Sequence, residues 1–560
     1  MNQAQGRMRA YQLQVQGRLE EAAAAYRWLI DRDPADFESL NNLGNVHRAA
    51  GRRDDAVAAL EGAVAVRPDL PMLRLNLAGA LAEAGRLEDS LAAVAEAARI
   101  APGEPACLVE LARAHARLGD SEAALAELER AAALIPEDPS LQVEIGLTHA
   151  GGGRLAEAEA AYRRAIALSP GFAPAFLYLG ILLEHSNRAE ELGGLLAEAE
   201  GQRVPERELA LVRAFSLRRQ GDDAGALAAA RSASRAFEPL RRLQLIAEMC
   251  DRLGDGAAAF EAFREMNRLA AAGLDSPGEA AALYRAEIER LLALTTAQWH
   301  SGWSPAAPPA ARPSPIFLMG FPRSGTTLLD TVLMGHSRLH VVEERPLLQP
   351  VLEAIGDPAR LADLTAAEIG ELRDLYFATL DALDPPPAGT LTVDKMPLNI
   401  ARLPIIHRLF PDARILFALR HPCDVVLSCF ITNFGLNYAM ANFLDLSDSA
   451  RLYDLTMRYW ERCREVFPLD VHEIRYEAIV DDLDGTVRPL LDFLGLDWEA
   501  GMTDHRRAAA ARGYVASASY AQVTEPVYAR ARGRWRRYRE EMADVLPVLL
   551  PWAERLGYDV

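Results

Sequence analysis

The chain has 560 residues, 50% of them hydrophobic and 25% charged, which is long enough for more than one globular domain. Its net charge of −19 argues against broad nucleic-acid binding. The N-terminal sequence MNQAQGRMRAYQLQVQ has no apolar core, and nowhere do 18 apolar residues run together. We therefore expect neither a signal peptide nor a membrane span.

The five cysteines have neither disulfide nor metal-site spacing. They are Cys107, Cys250, Cys423, Cys429 and Cys463. Scattered cysteines are typical of a reducing compartment, so we predict a cytoplasmic protein whose cysteines are small core residues and which holds no metal.

Residues 1–300 repeat with a period of 34. The recurring turn positions are Gly17, Gly51, Gly85, Gly119, Gly153, Asn187 and Gly221, and the recurring prolines are Pro34, Pro68, Pro102, Pro136 and Pro170. In step with them, a small residue follows an aliphatic one, as in Leu43-Gly44. This is the signature of tetratricopeptide repeats (TPR). It predicts an α-solenoid in which the glycine turns the chain, the small residue lets two helices approach, and the proline starts the next helix pair.

Such a solenoid has a peptide-sized concave face. We predict that a protein or peptide partner binds there; self-association or a spacer role is the alternative. Ala280–Leu294 is expected to close the stack. Residues 301–314 are rich in Pro and Ala and predict a stiff linker, which would separate a solenoid domain at 1–300 from a second domain at 315–560.

The second domain opens with a phosphate-loop pattern. Ile316–Met319 reads as a buried strand, Gly320 and Gly325 bound a loop, and a helix-period segment follows. Strand, loop and helix start together direct backbone N–H groups at one point, where an anion can bind. Thr326 stands where an NTPase loop carries its lysine, and Arg323 supplies the cation instead. The alternative interpretation is a plain Gly/Pro turn.

The sequence PRSGTT after an apolar strand resembles the 5′-phosphosulfate loop of sulfotransferases that use 3′-phosphoadenosine 5′-phosphosulfate (PAPS). The likeness is greatest to the tyrosylprotein sulfotransferase branch and to bacterial proteins that join TPR repeats to such a domain. It implies a P-loop-like α/β domain with a parallel sheet, PAPS as donor and no metal. By this resemblance the loop residues that bind the donor are Arg323, Ser324, Gly325, Thr326 and Thr327.

A pair of glutamates follows the loop helix at the end of a β-branched segment. The resemblance implies that the second of them, Glu344, is the general base for the acceptor hydroxyl; such a group is needed because a hydroxyl is a poor nucleophile. Neighbouring residues of a strand point to opposite faces, so only one of Glu343 and Glu344 is expected to point into the site. His336 and His340 are the alternative base, and structural packing is the interpretation we favour for them.

Lysine and arginine total 60, yet the chain contains one lysine, Lys395. A lysine that persists in so arginine-rich a chain indicates a place that needs a compact ammonium. Independently, DKMP resembles the lysine motif of the sulfotransferases, which implies that Lys395 stabilises charge on the transferring sulfonate.

Asp412–Leu419 reads as a buried parallel strand that leads to Arg420, and Ser428 lies eight residues later. Arg420 at the end of a strand and a hydroxyl two turns into the next helix can converge on a phosphate. The pair resembles the 3′-phosphate site of the family. Cys423 and Thr432 depart from the family pattern, since relatives often carry cations at these positions.

Three further residues are assigned by resemblance alone: Tyr476 lies near the nucleotide, and Ser519 and Arg534 approach the phosphosulfate. Arg534 belongs to a cluster of arginines at 530–539, and for its other members we favour a solvated basic helix.

The sequence as a whole predicts a sulfotransferase that moves a sulfonate from PAPS to an acceptor hydroxyl. The acceptor would be a protein or peptide, possibly at tyrosine, recruited by the solenoid. An acceptor tyrosine would need acidic flanks that meet Arg345 or the 530s arginines. The alternatives are a glycan or small-molecule alcohol as acceptor, a nucleotide-sensing scaffold without turnover, and an NTPase or kinase, which Thr326 disfavours.

Overall fold

The structure, a computed structural model, describes residues 3–274, 276–304, 312–503 and 532–560. Contacts divide the chain into two compact units. The repeat unit comprises Met1–Glu184 and Ala189–Ser216, and the sheet unit comprises His185–Arg188 and Leu217–Val560. Residues 305–311 of the predicted linker lie outside the described residues.

The repeat unit is built from antiparallel helix pairs. Its helices are α1 (Gln3–Val15), α2 (Leu19–Ile30), α3 (Phe37–Ala49), α4 (Arg53–Val66), α5 (Pro71–Glu83), α6 (Leu87–Ile100), α7 (Pro105–Arg117), α8 (Ser121–Leu134), α9 (Pro139–Gly151), α10 (Leu155–Leu168), α11 (Ala173–His185), α12 (Ala189–Gly201) and α13 (Glu206–Gln220). The predicted α-solenoid is confirmed.

The predicted turn positions have a left-handed backbone. Gly51 has a φ of 73° and Gly119 a φ of 82°, and Asn187, which takes the place of glycine in the series, has a φ of 59°. Glycine adopts this conformation without steric cost, and asparagine is among the side chains that tolerate it best. The 34-residue glycine series therefore marks the ends of helices, as predicted.

The small residues of the repeats also have the predicted role. A Cβ placed on Gly44 would lie 2.5 Å from Cγ of Leu60, and one on Gly180 would lie 2.7 Å from Cγ1 of Val212. The prediction for the prolines was wrong in detail. Pro68 lies in the turn between α4 and α5, and the proline that begins α5 is Pro71.

The sheet unit contains five strands and fourteen further helices among the residues that are described. The helices before the sheet are α14 (Asp223–Ser232), α15 (Pro239–Arg252), α16 (Gly256–Ala271), α17 (Pro277–Leu294) and α18 (Ala297–Ser301). The strands are β1 (Ile316–Gly320), β2 (Leu339–Glu343), β3 (Leu391–Lys395), β4 (Arg414–Leu419) and β5 (Asp470–Arg475). The later helices are α19 (Thr326–Leu333), α20 (Gln349–Ile355), α21 (Ala366–Leu383), α22 (Leu403–Leu409), α23 (Pro422–Phe430), α24 (Leu446–Val466), α25 (Tyr476–Asp481), α26 (Leu483–Leu494) and α27 (Leu546–Arg555).

The main segment of the sheet unit begins at Leu217, well before the boundary predicted at 301–314, because the last repeat-like helices pack on the sheet domain. Asn267 Nδ2 of α16 donates to the carbonyl of Phe430 at 2.9 Å. Arg285 of α17 pairs with Asp448 of α24 at 3.1 Å. The contacts therefore join residues 217–300 to the second domain, whereas the sequence pattern joins them to the repeats.

The sheet is parallel throughout, with strand order β2-β3-β1-β4-β5. Every residue of β1 is buried, as expected for the central strand of a sheet covered on both faces. The core beside it joins β1 to α19 and α26, with Leu318, Leu329 and Leu490 fully buried. Within the described ranges, no helix is both long and apolar enough to cross a membrane.

All five cysteines are buried and free, which agrees with their predicted role in the core. Cys107 lies in the repeat unit, and the other four lie in the sheet unit. Burial raises the pKa of the Cys423 and Cys463 thiols to about 12.

Candidate functional site

The predicted site residues gather at the carboxyl edge of the sheet. From β1 the chain crosses to β2 on one side of the sheet, and from β4 it continues to β5 on the other side, so the direction of the connections reverses between β1 and β4. In open parallel sheets, ligands bind outside the carboxyl ends of the strands at such a point. Gly320, Lys395 and Leu419, which end β1, β3 and β4, place the loops that follow them around one crevice.

The phosphate loop turns sharply between β1 and α19. Gly325 has a φ of 96°, and a Cβ on it would lie 2.6 Å from Cδ2 of Tyr476, so this position needs glycine for both backbone and space. Ser324 Oγ donates to the carbonyl of Phe321 at 2.6 Å and so closes the loop on itself. Thr326 and Thr327 begin α19 and are buried. The predicted strand, loop and helix start are all present.

The loop and the predicted 3′-phosphate residues lie in direct contact. Arg323 Nε donates to Ser428 Oγ at 3.1 Å, and Arg420 Nη1 donates to the carbonyl of Arg323 at 3.0 Å. The Arg420 guanidinium lies 4.7 Å from the centre of the Tyr476 ring. Residues as far apart as Arg323 and Tyr476 in the sequence thus form one cluster with two guanidinium groups, a hydroxyl and an aromatic face.

Lys395 lies on the other side of β1, at the end of β3, and is fully buried. Its Nζ lies 2.7 Å from Glu344 Oε1, 3.1 Å from Asp330 Oδ2 and 3.3 Å from Glu343 Oε1. Burial lowers the pKa of the Lys395 ammonium, but the three carboxylates outweigh burial and hold the pKa above its ordinary value. The one lysine of the chain is therefore a buried ammonium surrounded by three carboxylates, which agrees with the prediction that this position needs a compact cation.

Both glutamates of the pair reach Lys395, so the prediction that only one would point into the site was wrong. Strand β2 ends at Glu343, and Glu344 has a φ of 48°, outside the extended region. This turn ends the alternation of faces that the prediction assumed. The Glu344 N–H donates to the carbonyl of Lys395 at 2.8 Å, which holds the turn in place.

The two histidines make packing contacts. His336 Nε2 lies 2.9 Å from the carbonyl of Asp497, and its Nδ1 accepts from the Arg338 N–H at 3.1 Å. His340 pairs with Asp384 at 3.1 Å. These partners agree with the structural role that we favoured for both residues.

Of the three residues assigned by resemblance alone, Tyr476 lies against Arg420 in the cluster described above. Ser519 lies outside the described residues. Arg534 Nη2 pairs with Asp251 of α15 at 2.9 Å, and its side chain has no direct contact with the phosphate loop among its described partners. Asp251 also accepts from the hydroxyl of Tyr538 at 2.5 Å.

The described arginines of the 530–539 cluster other than Arg534 are exposed, which agrees with the prediction of solvated basic side chains, although only a short 3-10 helix forms there. Residues Arg534–Tyr538 form a short 3-10 helix that Asp424 holds by accepting from the N–H groups of Gly533 and Trp535. Arg537 pairs with Asp251, and Arg532 pairs with Asp481. These arginines bind neighbouring acids of the same unit.

The two departures from the family pattern have structural roles. Cys423 is buried near the start of α23, where its N–H donates to His421 Nδ1 at 3.2 Å. Thr432 Oγ1 donates to the carbonyl of Ser428 at 2.6 Å. Neither residue supplies a cation; Arg323 donates to Ser428, and Arg420 donates to the carbonyl of Arg323.

The sequence analysis missed Asp330. It stands among the apolar positions of α19 and is fully buried, with Oδ1 accepting from Thr331 Oγ1 at 3.1 Å. A buried carboxylate is costly without a partner, and its partner here is Lys395. An acid within an apolar helix segment was the signal that could have revealed it.

Two kinds of match to known proteins lie along the chain. Residues 315–500 match the sulfotransferase family, and residues 7–52, 41–105, 109–173 and 143–206 match the tetratricopeptide repeat. A protein of unassigned function from Aquifex aeolicus is 26% identical over 248 residues, which are 42% of this chain and 32% of that protein. The match therefore spans about a third of the Aquifex protein.

Protein-tyrosine sulfotransferase 2 of Gallus gallus is 25% identical over 267 residues, which are 44% of this chain and 69% of that protein. Among solved structures, a tetratricopeptide repeat protein from Parabacteroides merdae is 15% identical and covers 44% of this chain and 98% of its own, with a TM-score of 0.37. Residues 315–500, which include all five strands of the sheet, thus carry the match to the sulfotransferase family, and they follow an array of tetratricopeptide repeats.

Proposed function

We propose that the protein transfers a sulfonate from PAPS to an acceptor hydroxyl on a protein or peptide. The observation that carries this proposal is the cluster of Arg323, Arg420, Ser428 and Tyr476 beside the buried Lys395. The first four residues suit a nucleotide with two anionic ends, and Lys395 with Glu344 suits the chemistry of transfer.

The donor fits the residues that are present. Arg323, the loop N–H groups and the start of α19 would hold the 5′-phosphosulfate, because a helix N-terminus favours an anion. Arg420 and Ser428 would hold the 3′-phosphate, and the Tyr476 ring would lie against the nucleotide. The positive φ of Arg323, 70°, supports a functional role, since a side chain held in this conformation costs free energy that the fold alone does not require.

Transfer would proceed by in-line attack of the acceptor oxygen on sulfur. The new bond joins the acceptor oxygen to sulfur, and the bond from sulfur to the 5′-phosphate oxygen breaks, which releases adenosine 3′,5′-bisphosphate. Glu344 would accept the proton of the acceptor hydroxyl, and Lys395 would stabilise the charge that develops on the sulfonate and on the leaving oxygen. Positioning and charge stabilisation would supply most of the rate.

The acceptor is proposed to be a tyrosine-containing peptide that the repeats recruit. The similarity to protein-tyrosine sulfotransferases and the repeat array support this choice. Arg345, which is exposed and follows Glu344, is placed to meet an acidic residue next to the acceptor. Charge reversal by Arg345→Glu should lower turnover of acidic peptides more than that of neutral ones. Equal effects on both would contradict a peptide acceptor with acidic flanks and favour a glycan or small alcohol.

The donor site is tested by thermal unfolding with adenosine 3′,5′-bisphosphate and, separately, with ATP and magnesium. At about 100 times its dissociation constant, a ligand of the folded state stabilises it by about 2.7 kcal/mol. We expect this gain with the bisphosphate in the wild type and in Arg451→Ala, a surface control. We expect its loss in Arg420→Ala. Equal or greater stabilisation by ATP with magnesium would favour an NTP site and contradict the proposal.

A nucleotide-sensing scaffold is the competing function. It predicts that Glu344→Gln and Lys395→Ala keep both partner binding and cellular phenotype. Our proposal predicts that Glu344→Gln retains bisphosphate binding and lowers sulfonate transfer by about a hundredfold or more, which is the usual contribution of a general base.

A further inference from the structure

Lys395 has three carboxylates within 3.3 Å, and they differ sharply in exposure. The side chain of Asp330 is 0% exposed, that of Glu343 is 15% exposed, and that of Glu344 is 39% exposed. Asp330 also comes from a different element, α19, whereas Glu343 ends β2 and Glu344 follows it. One carboxylate is therefore enclosed with the ammonium, and another faces solvent.

This difference matters because a carboxylate that turns away to act as general base no longer balances the charge of the ammonium, even though the ammonium has three N–H donors. A general base that remains paired to Lys395 has one oxygen occupied by the ammonium, at 2.7 Å. For the base to turn to an acceptor hydroxyl, the ammonium needs another counter-ion. A buried ammonium without such a counter-ion would be strongly destabilised.

We propose that Asp330 is the positioning residue of Lys395, the fixed counter-ion that keeps the ammonium charged and in place while Glu344 exchanges partners. The single proton of the Thr331 hydroxyl is shared between two acceptors, the carbonyl of Thr327 at 2.7 Å and Asp330 Oδ1 at 3.1 Å. Asp330 is thereby tied to the first turn of α19, which follows the phosphate loop directly. The use of Glu344 as the base rests on the proposed function; the pairing of Asp330 with Lys395 does not.

The arrangement also couples the two halves of the site. Helix α19 begins at Thr326, so the helix that presents its N-terminus to the phosphate loop carries the counter-ion of the lysine one turn later. A donor held at the loop would thus be fixed relative to Lys395 by one short helix. This explains why an aspartate interrupts an otherwise apolar segment.

Because Lys395 is the one lysine of the chain, lysine labelled with ¹³C at Cε and ¹⁵N at Nζ reports this ammonium alone. We would titrate that NMR signal in the full-length wild type, Asp330→Asn, Glu344→Gln and Asp394→Asn. Asp394 is the matched control: it is a buried aspartate next to Lys395 in sequence, but it bonds to Tyr376 and Asn399.

We expect Asp330→Asn to lower the pH at which the ammonium titrates by at least one unit more than Glu344→Gln does. That difference is at least tenfold in the protonation equilibrium constant. The control should leave the signal in place. The reverse order, with Glu344→Gln giving the larger shift, would overturn the proposal. If Asp330→Asn does not fold, the double variant Glu343→Gln/Glu344→Gln decides: an ammonium that stays charged supports Asp330 as the fixed counter-ion, and one that loses its charge contradicts it.

The transfer assay separates this inference from the proposed function. Asp330→Asn should lower kcat at least tenfold and leave KM for the donor nearly unchanged, and Asp330→Glu should recover part of the rate. A shifted NMR signal in a protein that transfers no sulfonate to any acceptor would support the pairing and contradict the proposed function. An unshifted signal in an active enzyme would do the opposite.

Discussion

The two units use the left-handed backbone in different ways. In the repeats, the left-handed positions are occupied by glycine at residues such as Gly51, where nothing lies within 4 Å of an added Cβ. In the described part of the sheet domain, from residue 312 onward, the non-glycine residues with positive φ are Arg323 and Glu344. Both were predicted site residues. The recurring turns of the repeats thus carry glycine, with Asn187 and Arg203 as described exceptions, whereas both such residues from residue 312 onward are charged and belong to the predicted site.

The largest effect is expected from adding a methyl group at the site's own glycine. Gly325→Ala would place Cβ 2.6 Å from Tyr476 at a φ of 96°, so overpacking and backbone strain combine. We expect a loss of about 3 kcal/mol from the sheet unit. Urea unfolding followed by tryptophan fluorescence would measure it, since six of the seven tryptophans lie in that unit. A loss below 1 kcal/mol would show that Tyr476 moves aside readily.

Removing the strained arginine should separate stability from ligand binding. Arg323→Gly relieves the backbone but deletes the loop cation and its hydrogen bond to Ser428. We expect the ligand-free stability to change by less than about 1 kcal/mol, because the two effects oppose each other. The gain of about 2.7 kcal/mol from adenosine 3′,5′-bisphosphate should disappear. Retained stabilisation in differential scanning fluorimetry would contradict a functional reason for the strain.

The buried carboxyl next to Lys395 should make the sheet unit sensitive to pH. Burial raises the pKa of Asp394 to about 7, although hydrogen bonds from Tyr376 and Asn399 oppose the change. The folded state then binds more protons than the unfolded state between about pH 4 and pH 7, so stability falls as the pH rises through this window. The slope is on the order of 1.4 kcal/mol per pH unit. Asp394→Asn should flatten it in urea titrations; an unchanged slope would assign it to other groups.

The smallest effect is expected in the repeats. Gly51→Ala has space for its methyl group and carries only the cost of a left-handed alanine, about 1 kcal/mol. Unfolding of the repeat unit by far-UV circular dichroism measures it. A cost equal to that of Gly325→Ala would remove the distinction between the two kinds of turn.

Local signals in the sequence predicted most of the fold. The 34-residue series identified the helix ends because each left-handed turn requires glycine or asparagine, and the apolar runs identified β1 and β4. The sequence could not show that α15 and α16 pack on the sheet domain. That association depends on pairs such as Asp251 with Arg534, which lie far apart in the chain and carry no local pattern.

Site residues could be predicted where the position requires one residue type. They could not be predicted where their role depends on a partner distant in the sequence. Lys395 could be identified from its rarity alone. The turn at Glu344 could not, because it ends the strand alternation without a glycine to mark it. Asp330 was overlooked because its partner lies 65 positions later and only the parallel pairing of strands brings the two together. Arg534 was assigned by resemblance, and its observed partner is a carboxylate of the last repeats.

Each unit contains at least one buried cysteine, so labelling of its thiols measures how often that unit unfolds. In the folded state, thiol reagents react slowly with the cysteines, because the thiols are buried and burial raises their pKa. A reagent pulse would therefore label Cys107 only when the repeat helices separate, and the other four only when the sheet unit opens. Mass spectrometry of the labelled peptides would then give a separate labelling rate for each unit from one chain without substitutions. A bound donor should slow labelling in the sheet unit and leave the labelling rate of Cys107 unchanged.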